Sequence, residues 1–213
     1  GVEWRDDLFD LWKEFKLVRF HYSIDSINEM NDYIRYPSEW SRQEEVFHLL
    51  DTQTSNNVEV TIACAVQALN VYYLPDFIQW KLEQKFKKIN MWPFGAGGIS
   101  QHFVYWPAYL NVKSLPKDFK EKCRAKYESW YPWWEENWEL GIPSWHKGKV
   151  TYEDWRSAEY GIKRLDGILS FMESEDWSQR LPEMKEFLGL CDRQRNNSFS
   201  SVFPEMKGIF DDI

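Results

Sequence analysis

Cysteine is scarce in this chain: three among 213 residues, at Cys64, Cys123 and Cys191. They lie far apart, without Cys-x-x-Cys spacing or a neighbouring His, which excludes a disulfide framework and a zinc site and points to a reducing, cytoplasmic compartment. Long apolar runs are absent too. Polar residues interrupt every hydrophobic stretch well before the ~20 residues that a membrane helix needs, so no membrane partner is expected. The first residues, Gly1-Val2-Glu3-Trp4-Arg5-Asp6-Asp7, have neither a basic segment nor an apolar one, so no signal peptide is expected, and the chain reads as starting within a gene or as processed. Positive charge is in deficit. Lys and Arg number 26 against 34 Asp and Glu, a net charge of −8, which leaves no basic field for phosphates and excludes nucleic acid as a partner. Internal repeats and low-complexity tracts are missing as well.

What is plentiful is aromatic: 13 Trp, 11 Tyr and 14 Phe, enough for a bulky core or a stacking cleft. The periodicity of the apolar residues orders the chain. Leu8, Phe9, Leu11, Trp12 and Phe15 recur at helical spacing over Asp6 to Phe15, and strict alternation then predicts a strand over Leu17 to Ile24. In that strand Val18, Phe20, Tyr22 and Ile24 share one face, while Arg19, His21, Ser23 and Asp25 share the other. Ser41 with Glu44 reads as a capping box for a helix from Arg42 to Leu50. Val58, Val60, Ile62 and Cys64 alternate in a second strand, and Pro75 opens a helix to Gln84. Phe86 to Trp92 predicts a third strand, Gly95 to Gly98 a turn, and His102 to Leu115 a further extended segment. Strands separated by helices imply an α/β fold with a parallel sheet. Beyond Pro116 the pattern turns helical. Phe119, Cys123, Tyr127 and Trp130 mark one helix, Trp155 to Met172 a second and Pro182 to Arg193 a third, with a linker over Gly141 to Gly148.

The order of these pieces resembles the radical SAM family, specifically its SPASM and twitch subgroup, over nearly the whole chain. Val18-Arg19-Phe20-His21-Tyr22-Ser23-Ile24-Asp25 is similar to the family strand that ends Ser-Ile-Asp-Gly, and Met30 to Tyr36, with Arg35, resembles its continuation. Asn57 to Asn70, ending Ala68-Leu69-Asn70, resembles the next strand and its Leu-Asn exit. Phe86 to Asn90, then Leu110 to Pro116, resembles the last barrel strand and the run leading to the tail. Leu165-Asp166-Gly167 through Phe187 to Phe203-Pro204-Glu205 is similar to tails of twitch-type proteins, some phage-encoded. Ser26 and Tyr36 stand where the family has glycine.

The resemblance implies an open partial (β/α) barrel over residues 1–116 and a mostly helical, twitch-like extension over residues 117–213. It implies S-adenosylmethionine and a [4Fe–4S] cluster as cofactors of a full-length enzyme. There a deoxyadenosyl radical takes hydrogen from a peptide or small-molecule substrate. The cofactor-binding residues it implies are Ser23, Asp25, Arg35 and Asn70, with Ser23 and Arg35 on the methionine carboxylate, where a guanidinium fork is suited. The CxxxCxxC that ligates the cluster belongs to the first half of the barrel and has no counterpart here, so this chain alone is expected to be inactive and to need that half as its partner.

Blander assignments stand beside these. Ser23, Asp25 or Ser26 caps a helix while Arg35 pairs on the surface, and Asn70 makes a local turn. Gly95 to Gly98 forms a flexible turn or borders the adenine. His21 and His102 are ordinary structural residues or substrate contacts. The run Trp130-Tyr131-Pro132-Trp133-Trp134 with Trp138 packs the tail or stacks a ligand. Glu135 with Glu136 and Asp211 with Asp212 point apart and remain solvated. Two other functions share this sequence: a non-catalytic, aromatic-rich peptide- or carbohydrate-binding module, and a phage-associated structural protein.

Overall fold

The computed structural model describes residues 5–53, 55–89, 96–141 and 157–211. Helix α1 (Asp6–Lys13) leads into strand β1 (Val18–Ser23), and α2 (Asn28–Ile34) and α3 (Trp40–Gln53) cross to β2 (Val58–Val66). Helix α4 (Leu74–Glu83) crosses to β3 (Ile99–Phe103). The strands form a parallel sheet in the order β1-β2-β3, in register at Ser23 with Ala63 and at Ala63 with Ser100. This is the α/β class that the alternation of elements predicts. The sheet is open, with three strands among the described residues.

Alternation along the strands decides which face is covered. In β2, Val58, Val60, Ile62, Cys64 and Val66 are buried and the residues between them are partly exposed. The apolar face packs on α3 and α4. Tyr22 meets Phe47 edge-on at 4.7 Å, and Trp80 of α4 meets Trp40 at 4.9 Å. At Gly97 the turn into β3 requires glycine: its φ is +66°, and a Cβ there would lie 2.6 Å from the Ile78 methyl.

Two extended predictions are corrected. Residues 86–89 form a turn rather than a strand, because the Asp51 carboxylate takes the amides of Lys87 and Lys88 at 2.9 and 2.6 Å and withdraws them from any ladder. Residues 90–92 of that prediction lie outside the described residues. The extended segment expected from His102 continues only to Phe103, after which 3-10 turns at Ala108–Leu110 and Val112–Ser114 take over. Asn111 fixes this bend, donating to the Val104 carbonyl and accepting the Lys113 amide. Helix α3 also begins earlier than its capping-box signal. The amide of Trp40 is held by the Asp32 carboxylate of α2, a cap from a distant residue.

The tail is helical: α5 (Lys117–Asn137), α6 (Ala158–Glu173), α7 (Leu181–Arg195) and the short α8 (Phe199–Val202). It shares a continuous core with the sheet half. Tyr127 donates to the Val71 carbonyl at 2.7 Å, and Tyr33 of α2 donates to Asp192 of α7 at 2.7 Å. Trp130 and Trp134 are buried in this core, the packing alternative for the tryptophan run. The Gly141 to Gly148 linker, apart from Gly141, and Trp155 lie outside the described residues. No helix among the described residues is long and apolar enough to cross a membrane.

Candidate functional site

The carboxyl ends of β1 and β2 converge on Asp25, whose side chain is buried although the chain leaves the strand there. Its Oδ1 accepts the Ala65 amide at 2.7 Å and an Arg35 Nη2 hydrogen bond at 3.1 Å. Arg35 Nε is 2.8 Å from Oδ2 as an ion-pair contact, yet this buried nitrogen lacks the alignment of a hydrogen bond. Burial pushes the Asp25 carboxyl up, against the pull of the Arg35 charge and the Ala65 amide. Arg35 caps the C-terminus of α2, and its guanidinium reaches back to Asp25 at the strand end.

Asn70 completes the assembly. Its amide donates to the Asp25 carbonyl at 2.8 Å and the Ala65 carbonyl at 3.0 Å, and its oxygen accepts the Gln67 amide at 2.8 Å. Every hydrogen-bonding direction but one is thus used to tie the ends of β1 and β2 together. Asp25, Arg35 and Asn70 are therefore one network at the strand ends. Ser23 lies on the exposed polar face just before them, paired in register with Ala63, and is not joined to it by a hydrogen bond among the described residues. The pairing of Arg35 was foreseen as a surface contact; its partner Asp25 is buried instead.

Below these strand ends the uncovered sheet face forms a shallow cleft of about 480 Å³. Arg19 pairs with Glu59, His21 Nδ1 is 2.7 Å from the Thr61 hydroxyl, and His102 Nε2 is 2.9 Å from the Ser100 hydroxyl. Both histidines thus face the cleft with a hydroxyl partner each. Gly98 lines its rim, beside the 3-10 turn Ala96–Gly98. Sequence reasoning assigned Thr61 and Ser100 no role, although each occupies an outward position in an alternating strand.

Cys64, Cys123 and Cys191 are buried apart from one another as free thiols. Burial raises Cys64 well above the usual thiol range and Cys123 to about 12. No three His, Cys, Asp or Glu side chains among the described residues converge on a metal position, so these residues do not fit an iron–sulfur cluster. Arg35 is partly exposed at the strand ends, its Nη1 makes no hydrogen bond among the described residues, and its Nε is left unaligned. No protein-family model, curated protein or solved structure matches this chain.

Proposed function

We propose that this chain is the C-terminal part of a radical SAM enzyme. Its sheet is one side of a partial barrel, and its helices α5 to α8 are a twitch-like extension without cluster ligands. The observation that carries the proposal is the polar face of a parallel sheet, open to a cleft among the described residues, with Asp25, Arg35 and Asn70 gathered at its carboxyl ends. Parallel strands are ordinarily covered on both faces, and α/β sheets bind ligands beyond the carboxyl ends of their strands. A polar face suits a barrel lumen.

In this reading S-adenosylmethionine lies over the strand ends. Ser23 and the Nη1 of Arg35 receive its carboxylate, and Asp25 holds the guanidinium in place through the other edge. Asn70 sets the spacing of β1 and β2 beneath the ligand. A [4Fe–4S] cluster, whose ligands would lie outside this chain, would supply the electron for reductive cleavage of S-adenosylmethionine. The cleft with His21, Thr61, Ser100 and His102 forms part of the wall facing a peptide or small-molecule substrate.

Arg35→Lys tests the assignment. A lysine has one compact head and cannot hold Asp25 and a ligand carboxylate with the two edges of a planar fork. Titration of S-adenosylmethionine followed by amide NMR should perturb Ser23 to Ser26, Ala65 and Asn70, and the variant should bind about ten- to hundredfold more weakly. Asp25 is buried, so disturbing its pairing with Arg35 also costs stability, and thermal melts run alongside separate that loss from the change in affinity. Unchanged binding with a lowered melting temperature would make Arg35 structural only.

A further inference from the structure

Helix α6 presents Tyr160, Lys163, Arg164, Gly167 and Ile168, spaced i, i+3, i+4, i+7 and i+8, on one face over β3. Between that face and the β3 edge is a cleft of about 440 Å³, separate from the Asp25 network. Val66, Phe103 and Ile168 give it an apolar floor. Lys163 and Arg164 have no carboxylate partner among the described residues; the nearby acid Asp166 is turned away and accepts from Tyr131 at 2.7 Å. His102 closes the other wall. Gly167 meets nothing within 4 Å of a built Cβ, so the middle of the stripe is open.

The same stripe runs on to Phe171, seven residues and about 10 Å beyond Arg164. There Phe171 stacks on Phe103 at 4.0 Å, carries the Lys113 ammonium over its ring at 4.4 Å, and meets Tyr105 at 5.7 Å. Tyr105 is 63% exposed and the adjoining Trp106 84%, which makes an uncovered aromatic ledge. Unpaired cations over an apolar floor, with a ring platform about one nucleotide length away, are the elements of a site for a planar ring bearing an anion.

We infer that the cleft between β3 and α6 binds a nucleoside phosphate, its phosphate held by Arg164, Lys163 and Tyr160 and its base laid on the exposed Tyr105–Trp106 ledge. The charge pattern favours a free nucleotide over a polymer. The chain carries −8 overall, so a polyanion would be repelled outside the cleft while one phosphate meets only the local cations. The inference is independent of S-adenosylmethionine binding, because it uses none of Ser23, Asp25, Arg35 or Asn70.

The test is calorimetric titration of the whole chain with guanosine 5′-monophosphate, guanosine, inorganic phosphate and a short single-stranded oligonucleotide. A guanine probe avoids the adenosine that the strand-end site would take. The monophosphate should bind at least about tenfold more tightly than guanosine or phosphate, since each lacks one half of the recognition. Lys163→Gln with Arg164→Gln should abolish that advantage, and Tyr105→Ser with Trp106→Ser should weaken the monophosphate and guanosine alike. These residues are exposed apart from the half-buried Tyr160, which is left intact, and thermal melts should show all variants folded. Arg180→Gln, a distant exposed cation paired with Glu183, should change nothing. Equal binding of guanosine and its monophosphate, no binding of the monophosphate, or equal loss in Arg180→Gln would overturn the inference. Tighter binding of the oligonucleotide would overturn the free-nucleotide assignment.

Discussion

Lys81 is fully buried in α4, and its ammonium donates to the Gly97 carbonyl at 2.6 Å. Burial lowers its pKa to about 7. In the unfolded chain a lysine titrates near 10.4, so between about pH 7 and 10 the unfolded state holds a proton that the folded state has released. Stability from this group therefore rises with pH across that window. Lys81→Met keeps the bulk without the charge. The variant should gain most over the wild type at or below pH 7, and the difference should shrink by about 1.4 kcal/mol per pH unit above it. Urea melts at pH 6.5, 8 and 9.5 check this; a difference independent of pH would mean that Lys81 titrates as an ordinary lysine. Nothing local marks this lysine in the sequence, because its burial depends on the turn at Gly97 folding over α4. Asp25 and Asn70 stood out by position after alternating strands, but the hydrogen bond between them joins residues 45 apart and is set by the register of β1 on β2.

Elements with strong local periodicity were legible in the sequence: β1, β2, α4 to α7 and the parallel order follow from alternation and helical spacing. Those governed by a distant side chain were not. Asp51 turns residues 86–89 away from a strand, and Asp32 starts α3 at Trp40, each from another element. The α5–α6 contact shows how fine such tertiary control is. A Cβ on Gly161 would lie 2.1 Å from Trp134 Cζ2, whereas one on Gly167, two turns along the same helix, would meet nothing within 4 Å. Gly161→Ala should therefore destabilise by at least about 1–3 kcal/mol through overpacking. Gly167→Ala should stabilise by about 0.5–1 kcal/mol through helix propensity. Opposite shifts in melting temperature are the expected outcome; a stabilised Gly161→Ala would show that Trp134 repacks freely.

Among the described residues one continuous core joins the sheet half to the helical tail, while the opposite, polar face of the sheet lines a cleft. Fold class was readable from the order of elements, whereas a barrel is not shown: the described residues form an open sheet of three strands. The functional reading depends on that same open face and on the Asp25–Arg35–Asn70 network at its end. The most direct measurement is deoxyadenosine formation by the product of the complete reading frame that contains this chain, reconstituted anaerobically with iron and sulfide, reduced and given S-adenosylmethionine. The account predicts deoxyadenosine from that product, at least about tenfold less from its Arg35→Lys variant, and none from this chain alone. A reading frame without a CxxxCxxC segment, or a cluster-loaded product that forms no deoxyadenosine, would contradict it.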